Sequence, residues 1–128
     1  MNLEDINRVA VIGAGLMGSQ IAELLSRVGE YSVTIVDLNS ELVNRALSTI
    51  RSRLKRYFVD RGKMSQTDME GIVARIEGVT SIAGAAENAD FIVEAIVENS
   101  EVKCKVFKQL DRSAPSTSIL SSNTSGLS

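Results

Sequence analysis

The sequence predicts an α/β fold, a doubly wound parallel sheet in which strands alternate with helices. Short runs rich in apolar residues alternate along the chain with segments whose apolar residues recur every three or four positions. The first apolar run leads directly into a glycine-rich turn and then into a helical pattern. The chain has 128 residues, of which 44% are hydrophobic and one is proline, so its length allows one domain with a substantial core but not two.

Five strands are predicted, and the first of them has no polar interruption, as expected for a strand buried on both faces of a sheet. The strands cover residues 9–12, 33–36, 79–82, 91–93 and 118–121, and the third has the weakest pattern. Helices are predicted over residues 16–28 and 100–110, each directly after a strand and its loop. This alternation places all five strands in one parallel sheet.

A long helical pair is predicted as an insertion after strand two. Its first helix is capped by Asn39 or Ser40 and ends at Gly62. Its second helix begins at Ser65, where Asp68 completes a capping box. The apolar face of this second helix consists of Met69, Ile72, Val73 and Ile76. The pair is longer than the single crossover that a minimal βαβ unit needs.

Composition and charge exclude several classes of function. Fourteen Lys and Arg against sixteen Asp and Glu give a net charge of −2, with no basic stripe for a nucleic acid. No apolar stretch is long enough to cross a bilayer, and the acidic amino terminus is unlike a secretory or transit signal. Cys104 is the lone cysteine, which favours a reducing cytoplasm. Although Lys103 and Lys105 flank it, we interpret it as an ordinary small side chain rather than a reactive thiol, and we predict no metal site.

The glycine-rich turn after strand one has the form G-x-G-x-x-G. It consists of Gly13, Ala14, Gly15, Leu16, Met17 and Gly18. Glycines also occur in ordinary turns, but this motif follows a buried strand and opens a helix, which is the context of a Rossmann-type dinucleotide site. There Gly13 permits the tight turn, Gly15 lets the backbone approach a pyrophosphate, and Gly18 lets helix and strand pack closely.

Asp37 indicates which dinucleotide is bound. It stands at the end of strand two, where an acidic side chain accepts hydrogen bonds from the adenosine ribose hydroxyls. The same carboxylate would repel the 2′-phosphate of NADP, and the three residues that follow include no arginine to receive that phosphate. The alternative is a solvated aspartate that caps the next helix. The sequence therefore predicts NAD as cofactor.

Two further polar loops follow strands four and five, at the sheet edge where α/β folds bind ligands. They consist of residues 95–99, which include Ala95 and Glu98, and residues 122–125, which end at Ser125. Taken alone, such loops often do no more than cap helices. Their convergence on one edge with the glycine turn and Asp37 favours a functional role.

Together these blocks resemble the L-3-hydroxyacyl-CoA dehydrogenase family, which includes the 3-hydroxybutyryl-CoA dehydrogenases. The resemblance is carried by the residues 13–18, 93–99, 103, 107–111 and 122–125. It implies that Ala95, Glu98, Lys103 and Ser125 join the glycine turn and Asp37 in binding NAD. It also implies that Ser125 lies near the substrate's 3-oxygen and assists catalysis. The activity implied is oxidation of (S)-3-hydroxyacyl-CoA to 3-ketoacyl-CoA, as in fatty acid β-oxidation.

The chain contains no histidine, although histidine is the commonest general base near neutral pH. In the family that it resembles, the base is a histidine paired with a glutamate, and an asparagine helps to hold the substrate, all after the Ser125 loop. Since the chain ends at Ser128 with no helix to cover strand five, we expect residues 1–128 to be a truncated NAD-binding domain. The carboxy-terminal helical domain for substrate and dimer formation would follow. The chain alone is expected to be inactive, and the intact protein to be a homodimer.

The helical pair resembles the family's arm, which touches the coenzyme A moiety of the substrate. Arg53, Lys55, Arg56 and Lys63 could meet its phosphates, but these positions do not match the family's residues cleanly. A charged outer helix face is the favoured interpretation. No coenzyme A site is assigned.

Two other functions stay open at this point. One is a non-catalytic module that senses NAD or NADH within a larger protein. The other is an NAD-dependent dehydrogenase of another hydroxy acid, although the long helical pair and the 122–125 loop argue against it.

Overall fold

The computed structural model describes residues 7–95 and the backbone of residues 118–121. In this part of the chain five parallel strands form one sheet in the order β3-β2-β1-β4-β5. The strands are β1 (Arg8–Ile12), β2 (Ser32–Val36), β3 (Ile76–Val79), β4 (Phe91–Glu94) and β5 (Ser118–Ser121). The chain moves outward from β1 to β3 and then returns to the other side of β1, which confirms the doubly wound Rossmann-type sheet.

The central strand β1 explains why the sheet forms as it does. Val9, Ala10, Val11 and Ile12 are all at most 3% exposed, because neighbouring strands flank β1 and helices cover both of its faces. Within the sheet, Val11 pairs with Ile35 on one side and with Val93 on the other. Continuous apolar sequence is what such a position requires.

Side chains alternate between two hydrophobic layers. One face of the sheet packs against α1 (Leu16–Arg27), α2 (Ser40–Leu54) and α3 (Gln66–Ala74). The other face packs against the short helix α4 (Ile82–Glu87). None of the helices in the described part of the chain has the length and apolar character of a membrane span.

The insertion after β2 is a helical arm, as predicted, and consists of α2, a π-helical turn (Lys55–Val59) and α3. Gly62 adopts φ = +71° beyond this turn, a conformation that favours glycine and reverses the chain. A bidentate pair between Arg51 and Glu70 joins the two helices of the arm. Arg53 donates at 3.3 Å to Glu23 of α1, which ties the arm to the domain.

The third strand was predicted at the wrong place. Residues 79–82 do not form a strand, since β3 ends at Val79 and Ile82 begins α4. The hydroxyl oxygen of Ser81 accepts a hydrogen bond from the Gly84 N–H at 3.1 Å, so the chain turns into a helix immediately after the strand. Ile76, assigned to a helix face, instead pairs with Val33 in the sheet. The predicted helix over residues 100–110 lies outside the described residues.

Candidate functional site

The site lies where the winding of the sheet reverses, at the carboxyl ends of β1 and β4. The next residues along the chain, Gly13 after β1 and Ala95 after β4, therefore come together at one edge. Asp37 follows the neighbouring strand β2 at the same edge. Open α/β sheets bind ligands at this kind of switch point.

Two glycines of the motif have reasons within the protein itself. Gly13 adopts φ = +117°, which side chains disfavour, and its N–H donates to the Val36 carbonyl at 2.7 Å. A Cβ at Gly18 would overlap the Gly13 carbonyl oxygen, so only glycine lets α1 start this close to the loop. Both roles agree with the sequence prediction.

Gly15 has no such reason. Its φ of −77° is open to any residue, and a Cβ built on it would have no neighbour within 4 Å in the described protein. The space beside Gly15 is therefore free for a ligand that approaches the backbone. A glycine there is explained by what binds rather than by how the loop folds.

The amino terminus of α1 is equipped to bind an anion. Gly15, its N-cap residue, supplies no side-chain hydrogen bond, and the first turn contains no acidic residue. The other three described α-helices are capped by Asn39, Ser65 and Ser81. The first-turn N–H groups of α1 and the positive end of its dipole are thus left for a ligand, for which a phosphate is well suited.

Asp37 ties the glycine loop to the start of the arm. One carboxylate oxygen accepts from the Ala14 N–H at 3.1 Å, and the other accepts from the Asn39 N–H at 3.2 Å. The side chain is only partly buried, so it can also accept from ligand hydroxyls at its exposed edge. The interpretation of Asp37 as a simple helix cap does not fit, because Asn39 is the cap of α2.

A recess of about 580 Å³ adjoins Asp37. It is lined by Asp37, Leu38, Asn39, Ser40 and Glu41. Leu38 is 53% exposed, which is unusual for a large apolar side chain among the described residues, and it offers an apolar surface that a flat ring could contact. Leu16, at the start of α1, is 68% exposed at the same edge. The sequence analysis did not place Leu38 or Glu41 in the site and considered Asn39 and Ser40 only as helix caps.

The remaining predicted residues are only partly placed. Ala95 is buried, and its N–H donates to the Ile12 carbonyl at 2.8 Å, which extends the sheet beyond β4. Its neighbour Glu94, which sequence reasoning did not single out, is fully buried. Glu98, Lys103 and Ser125 lie outside the described residues.

Three of the four arm cations considered above, Arg53, Lys55 and Arg56, have partners within the arm or its base. Arg53 pairs with Glu23, and Lys55 pairs with Asp60 at 3.3 Å. The Arg53 and Arg56 guanidinium groups also lie 5.7 and 5.6 Å from the centre of the Tyr57 ring. These contacts fit a charged outer face.

A second concavity, of about 610 Å³, lies away from this edge. Arg8 and Ser32, which begin β1 and β2, contribute to its lining together with α4. It is therefore at the amino ends of the strands, opposite the edge where parallel sheets bind ligands. It is not the site described above.

The reversing sheet, the free end of α1 and Asp37 define a dinucleotide-binding Rossmann domain. A family model described as the NAD-binding domain of 3-hydroxyacyl-CoA dehydrogenase matches residues 8–128. The chain belongs to this family, as the resemblance in the sequence implied, and is its NAD-binding domain.

Relatives of the chain agree. A probable 3-hydroxybutyryl-CoA dehydrogenase of Bacillus subtilis is 38% identical over 123 residues, which are 96% of this chain and 42% of that protein. The crystal structure of 3-hydroxybutyryl-CoA dehydrogenase from Escherichia coli matches with a TM-score of 0.84 and 36% identity, over 94% of this chain and 25% of that one. The enzyme from Ralstonia eutropha matches with a TM-score of 0.83 and 33% identity, over 91% and 41%. The chain thus spans about two fifths of the Bacillus and Ralstonia proteins and a quarter of the Escherichia protein.

Proposed function

We propose that NAD lies across the carboxyl edge of the sheet, with its pyrophosphate beside Gly15 and its adenosine in the recess next to Asp37. The observation that carries this placement is the open space at Gly15, which nothing in the described protein explains. The uncapped end of α1 supports it, because free N–H groups and a partial positive charge suit the phosphates. Leu38 supplies an apolar surface for the adenine.

We propose further that the whole protein oxidises (S)-3-hydroxyacyl-CoA to 3-ketoacyl-CoA, as in fatty acid β-oxidation. NAD accepts the hydride when it is bound. In this chain, Asp37 accepts hydrogen bonds from the ribose hydroxyls, and the first turn of α1 donates to the phosphates. These contacts hold the coenzyme in one orientation, which is the protein's main contribution to such a reaction. Ala95, Glu98, Lys103 and Ser125 stay predicted as further contacts.

Proton transfer is assigned to residues beyond this chain. The 128 residues contain no histidine, while the matched Bacillus and Ralstonia proteins are more than twice as long. The family resemblance predicts a histidine base after Ser125, with Ser125 close to the substrate oxygen. A homodimer and a cytoplasmic location also stay predictions, the second supported by the lone Cys104.

Titration of the purified chain with NADH tests the binding site. We expect binding in the range from micromolar to millimolar, and weaker binding of NADPH. Asp37→Ala is expected to weaken NADH about tenfold or more, since hydrogen bonds to a charged group contribute about 1.5–3 kcal/mol. Asp68→Ala, which removes an exposed carboxylate from α3, is the control and should leave NADH affinity unchanged. An Asp37→Ala variant that folds and binds NADH as tightly as the parent chain would contradict the assignment.

Activity of the chain by itself tests the assignment of the base. With 3-hydroxybutyryl-CoA and NAD we expect no measurable formation of NADH, because a positioned base typically contributes about 10²–10⁴-fold. Loss of substrate orientation lowers the rate further. Turnover at an ordinary enzymatic rate, about 1 per second or more, would show that the base lies within the 128 residues.

A further inference from the structure

We infer that Glu41 is a second determinant of coenzyme selectivity, which acts with Asp37 to keep the 2′-phosphate of NADP out of the adenosine recess. The inference rests on the placement of adenosine proposed above. It concerns a residue that neither the glycine motif nor the ribose contact includes.

The geometry places two carboxylates around one recess. The recess is lined by five consecutive residues, with Asp37 at one end of the run and Glu41 at the other. Asp37 is held in place by the Ala14 and Asn39 N–H groups. Glu41 is exposed in the first turn of α2. A phosphate on the ribose 2′-oxygen that Asp37 faces would therefore enter a recess whose lining includes two acidic residues, Asp37 and Glu41.

Without these side chains, the start of α2 would attract a phosphate, as any free helix amino terminus does. The structure removes that attraction in two ways. The Asn39 Oδ1 atom accepts from the Glu41 N–H at 2.8 Å and from the Leu42 N–H at 3.3 Å, so two donors are already used. The Glu41 carboxylate then offsets the positive end of the helix dipole.

The solvent exposure of Glu41 determines how much its charge can change NADPH affinity. Glu41 is in contact with solvent, where repulsion between charges is weak and falls with added salt. The 2′-phosphate carries about two negative charges, which doubles the repulsion that a single charge would feel. We expect removal of the Glu41 charge to strengthen NADPH binding about three- to tenfold at low salt, and less at high salt.

The experiment compares Glu41→Gln with Glu87→Gln in the full 128-residue chain, by titration with NADPH and with NADH. Glu87 ends α4, is exposed and does not line the recess, so its substitution changes the net charge equally. We expect Glu41→Gln, but not Glu87→Gln, to strengthen NADPH binding. NADH affinity should stay within about twofold of the parent value in both variants. The gain should shrink when sodium chloride is raised from low to high concentration.

Three outcomes overturn the inference: no change in NADPH affinity, no detectable NADPH binding in Glu41→Gln, or an equal gain in Glu87→Gln. Failure of the proposed site is distinguished by NADH. If the parent chain does not bind NADH, or binds it without dependence on Asp37, the placement of adenosine is wrong. If NADH binding depends on Asp37 while Glu41→Gln leaves NADPH unchanged, only the role of Glu41 is refuted.

Discussion

Two helices begin at the same edge of the sheet, and their first turns are built in opposite ways. Helix α1 follows β1 with no side-chain cap and with no acidic residue in its first turn. Helix α2 follows the adjacent strand β2 with its N–H groups capped by Asn39 and with Glu41 in its first turn. The backbone offers a phosphate two comparable positions about one strand apart. The side chains leave the first position open and close the second, and we therefore infer that the start of α2 contributes to selectivity for NAD.

The three glycines of the motif also differ from one another in whether folding or ligand binding requires them. Gly13 and Gly18 are required by the fold, one by its positive φ and the other by the close approach of α1. Gly15 is not required sterically by the fold, since a Cβ there would have open space, although glycine is a better N-cap than alanine. Alanine substitutions therefore separate folding from binding within a single loop.

Gly18→Ala should have the largest effect of the changes considered. Its Cβ would overlap the Gly13 carbonyl oxygen, so α1 or the loop must shift, at a cost of about 1–3 kcal/mol of unfolding free energy. Urea unfolding measures this cost. Gly71→Ala is the matched control, because a Cβ there has open space inside helix α3 and should stabilise by about 0.5–1 kcal/mol. Equal effects at the two positions would refute the packing argument for Gly18.

Gly15→Ala should instead spare the fold and weaken binding. Alanine is a poorer N-cap than glycine, so a loss of up to about 1 kcal/mol of stability is expected from that alone. NADH affinity should fall about tenfold or more, because the Cβ occupies the path of the pyrophosphate. Calorimetric titration beside a urea unfolding curve gives both values. Unchanged NADH affinity would mean that the pyrophosphate does not pass beside Gly15.

Four of the five strands and the coenzyme motif could be predicted from the sequence because each has a clear local pattern. Strand β1 was predicted to within one residue, since a doubly buried strand must be continuously apolar. Strand β3 was predicted three residues too late, and helix α4 was not predicted at all. The β3 sequence Ile-Glu-Gly-Val is short and half polar, and Ile76 continues the helical spacing of α3. Helix α4 has only six residues, mostly alanine and glycine, too few for a periodic pattern.

Part of the candidate site could be predicted from the sequence, and part could not. The roles of Gly13, Gly18 and Asp37 follow from fixed spacing within a βαβ unit. The recess beyond Asp37 depends on where α2 begins and on the bond between Asp37 and Ala14, 23 residues apart. Such tertiary geometry leaves no periodic trace in the sequence. The sequence therefore identified the coenzyme but not the recess in which we propose that its adenosine lies.

Asn39→Ala tests whether the cap of α2 contributes to that selection. Loss of the side-chain acceptor should cost about 1 kcal/mol of stability and free the Glu41 and Leu42 N–H groups. We expect only a small gain in NADPH affinity, about two- to threefold, because the Glu41 carboxylate still repels the phosphate that the freed N–H groups would bind. Ser65→Ala removes the equivalent cap of α3 and is the control. Ser65→Ala should lose a similar amount of stability, with no change in affinity for NADH or NADPH. A gain in NADPH affinity in Ser65→Ala would show that the effect of Asn39→Ala does not depend on the position of the cap beside the recess.

The smallest effect on stability is expected for substitution of Asp90. This residue directly precedes β4 and lies at the opposite edge of the sheet from Asp37. Its carboxylate accepts from the Asn7 and Arg8 N–H groups at 2.9 and 3.0 Å, and these bonds lower its pKa below the ordinary value. Because the pKa is lower in the folded state, the two hydrogen bonds stabilise the fold at pH values above about 3.9, the pKa of the carboxyl in the unfolded chain. This contribution to stability is lost as the pH falls below that value.

Asp90→Asn should therefore lower the urea midpoint slightly at pH 7 and reduce the loss of stability that follows as the pH falls below about 3.9. Because Asp90 lies at the amino edge of the sheet, NADH affinity should stay at the parent value, whereas Asp37→Ala lowers it. Both aspartates accept backbone N–H groups at an end of β1, so the pair differs mainly in the edge at which each lies. A drop in NADH affinity in Asp90→Asn equal to that in Asp37→Ala would show that general loosening of β1, and not contact at the carboxyl edge, sets coenzyme affinity.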